Sequence, residues 1–266
     1  MRAVMGRMGS LLDNIVWHAL RGPLAHLAER SPHEDPAEPT ALRFDPEVAV
    51  FGAVDRLDAA GWAALARLVG PGGSFAFFRP DVGPTPAGWE EHTRFPCVQM
   101  VAGALPDRVP FTWQVLGAAD APEMLALAEL TEPGPFFART HELGRYIGVR
   151  REGRLVAMAG ERLRAPGLVE VSAVCTHPDV RGEGLGAALT LEIAHGIRER
   201  GDEAFLHVLE SNAPALALYG KLGFRARRLV EVVAVQWHDD GLPADVRRES
   251  PARPTDMRMP SAGGRR

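Results

Sequence analysis

Along the first third of the chain, apolar positions recur at helical spacing through Leu11, Leu12, Ile15, Val16, Ala19, Leu20, Leu24 and Leu27, with Pro23 as an interruption or kink. A polar, Pro-rich stretch at 31–40 reads as a loop. The run 48–51 predicts a short buried strand, and Asp58 caps a helix reaching Leu68. Residues 74–78 read as a further strand. Gly83, Pro84, Pro86 and Gly88 make 81–89 a loop, and 97–101 predicts another strand. The segment 103–110, bounded by Gly103 and Pro110, is the best candidate domain boundary.

From Phe111 the pattern becomes regular. A strand at 112–116 leads into a helix at 122–130, capped by Asp120 with Pro122 in its first turn. After a loop or short helix at 131–144, strands at 145–150 and 155–162 are joined by Glu152-Gly153, a hairpin signal. A third apolar strand, 169–176, ends in His177-Pro178 and a turn with Gly182, Gly184 and Gly186 at alternate positions. The helix that follows, to about Arg200, carries Leu185, Leu189, Ile193 and Ile197 on one stripe. Then come a strand at 204–209, a helix at 214–222 stopped by Gly223, and a last strand region at 224–237. After His238 the chain is polar, with six arginines, and reads as a disordered tail.

Composition narrows the function. The chain has 266 residues, 46% hydrophobic and 24% charged, enough for a sizeable core in one or two domains. A net charge of −4 and pI near 6.2 give no reason to expect a nucleic-acid or membrane partner. Of the 30 basic residues only Lys221 is lysine. Cys97 and Cys175 make no disulfide framework, and Cys175, inside an apolar strand, reads as a small buried hydrophobe. The nine histidines show no paired metal-type spacing, so no metal is expected. No apolar run reaches the roughly 18 residues of a membrane span, and the first residues lack the apolar core of a signal peptide. A cytoplasmic protein is the expectation.

The glycine turn is the most specific feature. Glycines let backbone approach a phosphate, and a helix N-terminus presents N–H groups and a favourable dipole to it. An ATP-type phosphate loop would need Gly-Lys-Ser/Thr, and the single lysine is followed by Leu222. A dinucleotide loop would need G-x-G-x-x-G with an acid after the next strand; here the spacing is G-x-G-x-G, and Asp202 and Glu203 precede that strand.

Arg181-Gly182-Glu183-Gly184-Leu185-Gly186 resembles the R-x-x-G-x-G pattern of the GNAT superfamily of N-acetyltransferases. Asn212, Ala215, Leu218, Tyr219 and Leu222-Gly223-Phe224 are similar to the family's second signature, on the helix after its fifth strand. The Ser172-to-Pro178 and Phe205-to-Val208 segments look most like the glycine N-acyltransferase-like branch. The resemblance implies an α/β fold with a mixed sheet, a GNAT-like acyltransferase domain over 111–237. A smaller α/β domain of unknown role would precede it over 1–108, as a degenerate second lobe or a substrate lid.

The resemblance also implies an activity: acetyl transfer from acetyl-CoA to the amine of a small molecule or amino acid, by direct attack in a ternary complex. The alternatives are a non-catalytic CoA-binding module and a protein or peptide acetyltransferase. A monomer or homodimer would serve either way. Val174 and Thr176 would bond the pantetheine arm, with the Val174 N–H also polarising the thioester carbonyl. The amides of Gly182, Gly184, Leu185, Gly186 and Ala187 would hold the pyrophosphate. Arg181 would add charge there or pair with Asp179 or Glu183. Asn212 would reach the pantetheine amide or cap its helix. Tyr219 would be the acid for the departing thiolate, or a packing aromatic. Glu170 would be the base, sharing a face with Ser172 and Val174 if no bulge intervenes, or a solvated strand-end carboxylate. His177, His207 and Glu210 are further contributors from the neighbouring turn and strand.

Overall fold

The computed structural model describes residues 9–32 and 40–238. The polar tail beyond His238, and 33–39 of the Pro-rich stretch, lie outside the described residues. The chain divides into two compact units, one holding residues to 46, 50–96 and the strand residues from Val230, the other holding 47–49 and 97–229.

In the first unit, α1 (Ile15–Arg21) is shorter than its apolar stripe. Gly22 ends it before Pro23, and the stripe continues only as a 3-10 turn, Ala25–Leu27. A small antiparallel sheet follows, β1 (Ala28–Arg30), β2 (Ala41–Phe44) and β3 (Gly52–Val54). The expected strand at 48–51 is therefore displaced: only Phe51 makes a bridge, to Ala76, and the ladder lies at Gly52–Val54. Gly52 suits that place, because a Cβ there would meet the Phe75 ring at 2.7 Å. Helix α2 (Ala59–Val69) is capped as predicted, the Asp58 carboxylate accepting from Gly61 N at 3.0 Å. Strand β4 (Ser74–Arg79) packs Phe75 and Phe77 with Trp62, Trp89 and Trp237 into an aromatic core, their rings 4.8 to 5.6 Å apart.

Strand β5 (Trp89–Ala102) runs through Pro96 and is far longer than the expected 97–101. Its residues up to 96 belong to the first unit and those from Cys97 to the second. The stretch 103–110, expected as the domain boundary, lies within the second unit, where Gly103 N donates to Gly223 O at 2.8 Å.

The second unit continues with β6 (Gln114–Leu116), α3 (Ala121–Thr131), β7 (Tyr146–Arg151), β8 (Arg154–Ala165), β9 (Leu168–Thr176), α4 (Leu185–Glu199), β10 (Glu203–Leu209), α5 (Ala213–Lys221) and β11 (Phe224–Trp237), the last continuing into the first unit from Val230. Its strands follow the order β11-β5-β10-β9-β8-β7-β6. The β9–β10 pair is parallel, with α4 as the crossover. Glu152 and Gly153 have φ of 52° and 80°, the double left-handed turn expected of the β7–β8 hairpin. Asp120 stands at the N-cap of α3 without capping it; its carboxylate accepts from Gly117 N at 2.9 Å and from Arg150 at 2.6 Å.

The two sheet faces bury different partners. Val169, Val171, Ala204, Leu206 and Val208 pack with Leu189, Ile193 and Ile197 of α4. On the other face, Tyr146, Met158 and Cys175 pack with Met124, Leu127 and Ala128 of α3. These faces fix what surrounds each end of β9.

Candidate active site

Strand β9 carries a bulge. Cys175 pairs with Met158 and Ser172 with Gly160, so Ala173 and Val174 together face Ala159, and Ala173 adopts φ 51°. The bulge reverses the alternation. Glu170 shares its face with His207, whereas Val174 packs into the α4 core and Cys175 into the α3 core. The expected common face of Glu170, Ser172 and Val174 is thus corrected: Val174 points the other way.

The sheet opens just ahead of the bulge. Strands β9 and β10 pair only from Glu203↔Leu168 to Phe205↔Glu170. From there β10 continues along β5, as far as Leu209↔Cys97, and β9 continues along β8, as far as Thr176↔Ala157. The two strands form a fork, with the glycine turn at the end of one tine and α5 at the end of the other.

In the turn, Gly182 and Gly184 take φ of 86° and 81°, and a Cβ at either would have nothing within 4 Å. Glycine is needed there for conformation, with open space above it. Gly186 is needed for approach: its Cβ would meet Thr176 Oγ1 at 3.3 Å and Val174 Cγ1 at 3.6 Å. The first bond of α4 runs from Ala188 N to Gly184 O at 3.0 Å, and no side chain caps the helix. The amides of Leu185, Gly186 and Ala187 are therefore the orphan donors of a helix N-terminus. Arg181 is exposed, and the acids that could neutralise it are engaged elsewhere, Asp179 by Arg154 and Glu183 by Arg151. An open, uncapped, glycine-lined helix start with a cation beside it fits a pyrophosphate.

Asn212 caps α5, its Oδ1 accepting from Ala215 N at 3.1 Å. Tyr219 is half-buried on α5, its ring 6.2 Å from that of Phe224. Burial, and to a lesser degree the nearby Cys175 thiol, push its phenol up to about 12. The same burial pushes Cys175 up to about 12, consistent with a packing residue and not a nucleophile.

Glu170 departs furthest from expectation. It is fully buried, with its carboxylate accepting from Arg162 Nε at 2.9 Å and Nη2 at 2.6 Å, and lying 2.7 Å from His207 Nδ1. Burial alone would raise its pKa, but Arg162 and His207 together hold it down at about 2. The solvated, strand-end alternative is corrected: Glu170 is an enclosed anion whose partners favour its charged form. His177 sits in the turn, its Nδ1 accepting from Asp179 N.

A small pocket opens on the face of β9 that carries Ser172. Its walls are the loop Pro133, Gly134, Pro135 and Phe136 together with Tyr146, Arg162 and the bulge residue Ala173. Thr140 fixes that loop, accepting from Phe137 N at 2.8 Å and donating to Val48 O at 2.7 Å. The loop carries no motif, so only the tertiary structure brings it to the bulge.

The family described as FR47-like protein matches residues 146–233. A mycothiol acetyltransferase of Thermomonospora curvata is 43% identical over 84 residues, which cover 31% of this chain and 28% of that protein. The chain thus spans little more than a quarter of that relative's length. A protein named N-alpha-acetyltransferase RimI, from Mycobacterium tuberculosis, is 36% identical over 130 residues, 45% of this chain and 81% of that one. Among solved structures, a putative acetyltransferase from the GNAT family of Novosphingobium aromaticivorans has a TM-score of 0.75 and 39% identity, covering 85% of this chain and 98% of that one.

Proposed function

The chain belongs to the GNAT family of acetyltransferases, and from that premise we propose that it transfers an acetyl group from acetyl-CoA to the amine of a small molecule or amino acid while both are bound. The observation that carries this reading is the β9–β10 fork, which ends on one side in the uncapped glycine turn and lies next to the bulge and its pocket.

Acetyl-CoA supplies the activated acyl group. The amides of Gly182, Gly184, Leu185, Gly186 and Ala187, with Arg181, hold its pyrophosphate. Val174 and Thr176 line the fork for the pantetheine arm, and Asn212 keeps α5 in place through its cap. The Val174 N–H donates to the carbonyl oxygen as that oxygen gains charge. The amine enters through the pocket on the opposite side of the bulge, its nitrogen bonding the acyl carbon as the carbon–sulfur bond breaks. Tyr219 stays protonated throughout the neutral range and donates its hydrogen bond to the departing sulfur; any proton it passes to that sulfur is replaced in the same step from the water that takes up the amine's proton. The amine's own proton leaves to water, since Glu170 is enclosed.

Two acceptor classes remain in play, each with its own support. The mycothiol acetyltransferase relatives favour a small-molecule acceptor. The relative named N-alpha-acetyltransferase favours the terminal amine of a polypeptide. A thiol-release assay with acetyl-CoA over amines, amino acids and short peptides separates them. Turnover with small amines supports the proposal, turnover with peptides alone moves the acceptor to the second class, and no release with any acceptor contradicts acyl transfer.

A further inference from the structure

Five neighbouring strands of the second unit each put one polar side chain into a single row: Arg162 on β8, Glu170 on β9, His207 on β10, Gln99 on β5 and Arg227 on β11. The row is continuously hydrogen-bonded. Arg227 Nη1 donates to Gln99 Oε1 at 2.6 Å, Gln99 Nε2 lies 3.0 Å from His207 Nε2, His207 Nδ1 lies 2.7 Å from Glu170 Oε1, and Arg162 closes on Glu170. Gln99 and Glu170 are fully buried.

The chemistry of the row has one consistent direction. Because Gln99 accepts from Arg227 through its oxygen, its NH2 faces His207, whose Nε2 must then accept. The imidazole proton is thereby assigned to Nδ1, which donates to Glu170. Burial keeps the ring neutral, lowering its pKa against the pull of Glu170. Such buried polar rows are seldom stabilising compared with well-packed apolar residues, so their value is geometric.

The geometry is specific. Phe205↔Glu170 is the last backbone pair between β9 and β10, and His207 is the next β10 residue on that face. The Glu170–His207 bond therefore joins the two strands just past the point where their ladder ends. We propose that this bond is a crossbar that sets the opening of the fork, making Glu170 and His207 positioning residues for the pantetheine arm. This rests on the reading of the fork as the CoA site. Gln99 and Arg227 hold the crossbar by fixing the imidazole tautomer.

The test compares two ligands by calorimetry on the full chain. Coenzyme A occupies both turn and fork. Adenosine 3′-phosphate 5′-diphosphate, its pantetheine-free part, occupies the turn alone. His207→Leu removes the crossbar at similar volume, and His207→Asn keeps an N–H near the position of Nδ1. The crossbar predicts that His207→Leu weakens coenzyme A by about tenfold or more, with the smaller nucleotide unchanged, and that His207→Asn restores most of the loss. Gln99→Leu, which strips only the far support of the ring, gives the same split at smaller size and serves if the leucine at 207 does not fold. Equal loss of both ligands, or no loss, overturns the crossbar. If the unsubstituted chain binds the nucleotide but not coenzyme A, the fork reading beneath it falls as well; if it binds neither, the turn reading falls too.

Discussion

Three residues show how a side chain's role follows from its surroundings. Tyr219, pushed up to about 12, is a donor across the neutral range and never a base there. Tyr219→Phe should lower kcat by about ten- to a thousandfold with coenzyme A affinity unchanged, measured by thiol release and calorimetry; an unaffected rate removes its role as acid. Gly184 was legible as a turn glycine from its spacing. Its φ of 81° adds a second reason, since an L-residue there costs about 1–2 kcal/mol. Glu170 was not legible. Its sequence position on an apolar strand suits a base, but Arg162 and His207, which enclose it, come from separate strands eight and 37 residues away. No local pattern announces such an enclosure.

At the scale of elements, periodicity served the helices well and the bulge poorly. Helices α2, α4 and α5 lie within a residue or two of their apolar stripes and caps, because those signals are local. The Glu152-Gly153 turn of the hairpin was equally local. The bulge is not: Ala173 takes φ 51° with no glycine to mark it, and only the pairing of β9 with β8 reveals it. That conformation gives a prediction. Ala173→Val places a β-branched residue where it is a steric outlier, and should destabilise the fold by about 1–3 kcal/mol in denaturant unfolding. It should also weaken coenzyme A, because it disturbs the bulge that sets the direction of Val174, proposed above to bind the pantetheine arm. Unchanged stability would mean that the bulge is not held in this conformation. Strand β5 departs in the opposite way, since it exceeds the expected 97–101 and runs through Pro96.

For the whole molecule, acid should be the vulnerable direction. His207 has its pKa lowered by burial, and Glu170 is held at about 2 by Arg162 and His207. Both depressed values mean that the unfolded chain binds more protons. The stability they contribute is present above the unfolded values, near 6.5 and 4.3, and is lost as pH falls toward the folded ones. Urea unfolding midpoints should therefore decline from about pH 6.5 downward, and His207→Asn should flatten the upper part of that decline. A midpoint flat down to pH 4 would contradict the buried pair. The first unit has its own core, and Trp89→Ala, removing a ring packed against Trp62, Phe75 and Trp237, should cost about 3–5 kcal/mol. That aromatic core was invisible in the sequence, whose five tryptophans are scattered between residues 17 and 237. The division at residues 96 and 229 was invisible for the same reason: β5 and β11 each supply both units, so no linker marks the passage.

In the function proposed above, the uncapped glycine turn grips the pyrophosphate of acetyl-CoA. Calorimetric titration of acetyl-CoA into the unsubstituted chain and into Gly184→Val tests it most directly. Saturable binding is expected for the former and affinity weaker by about tenfold or more for the latter, where a β-branched residue at φ 81° must move the backbone amides. Equal affinity in a folded Gly184→Val chain would contradict it.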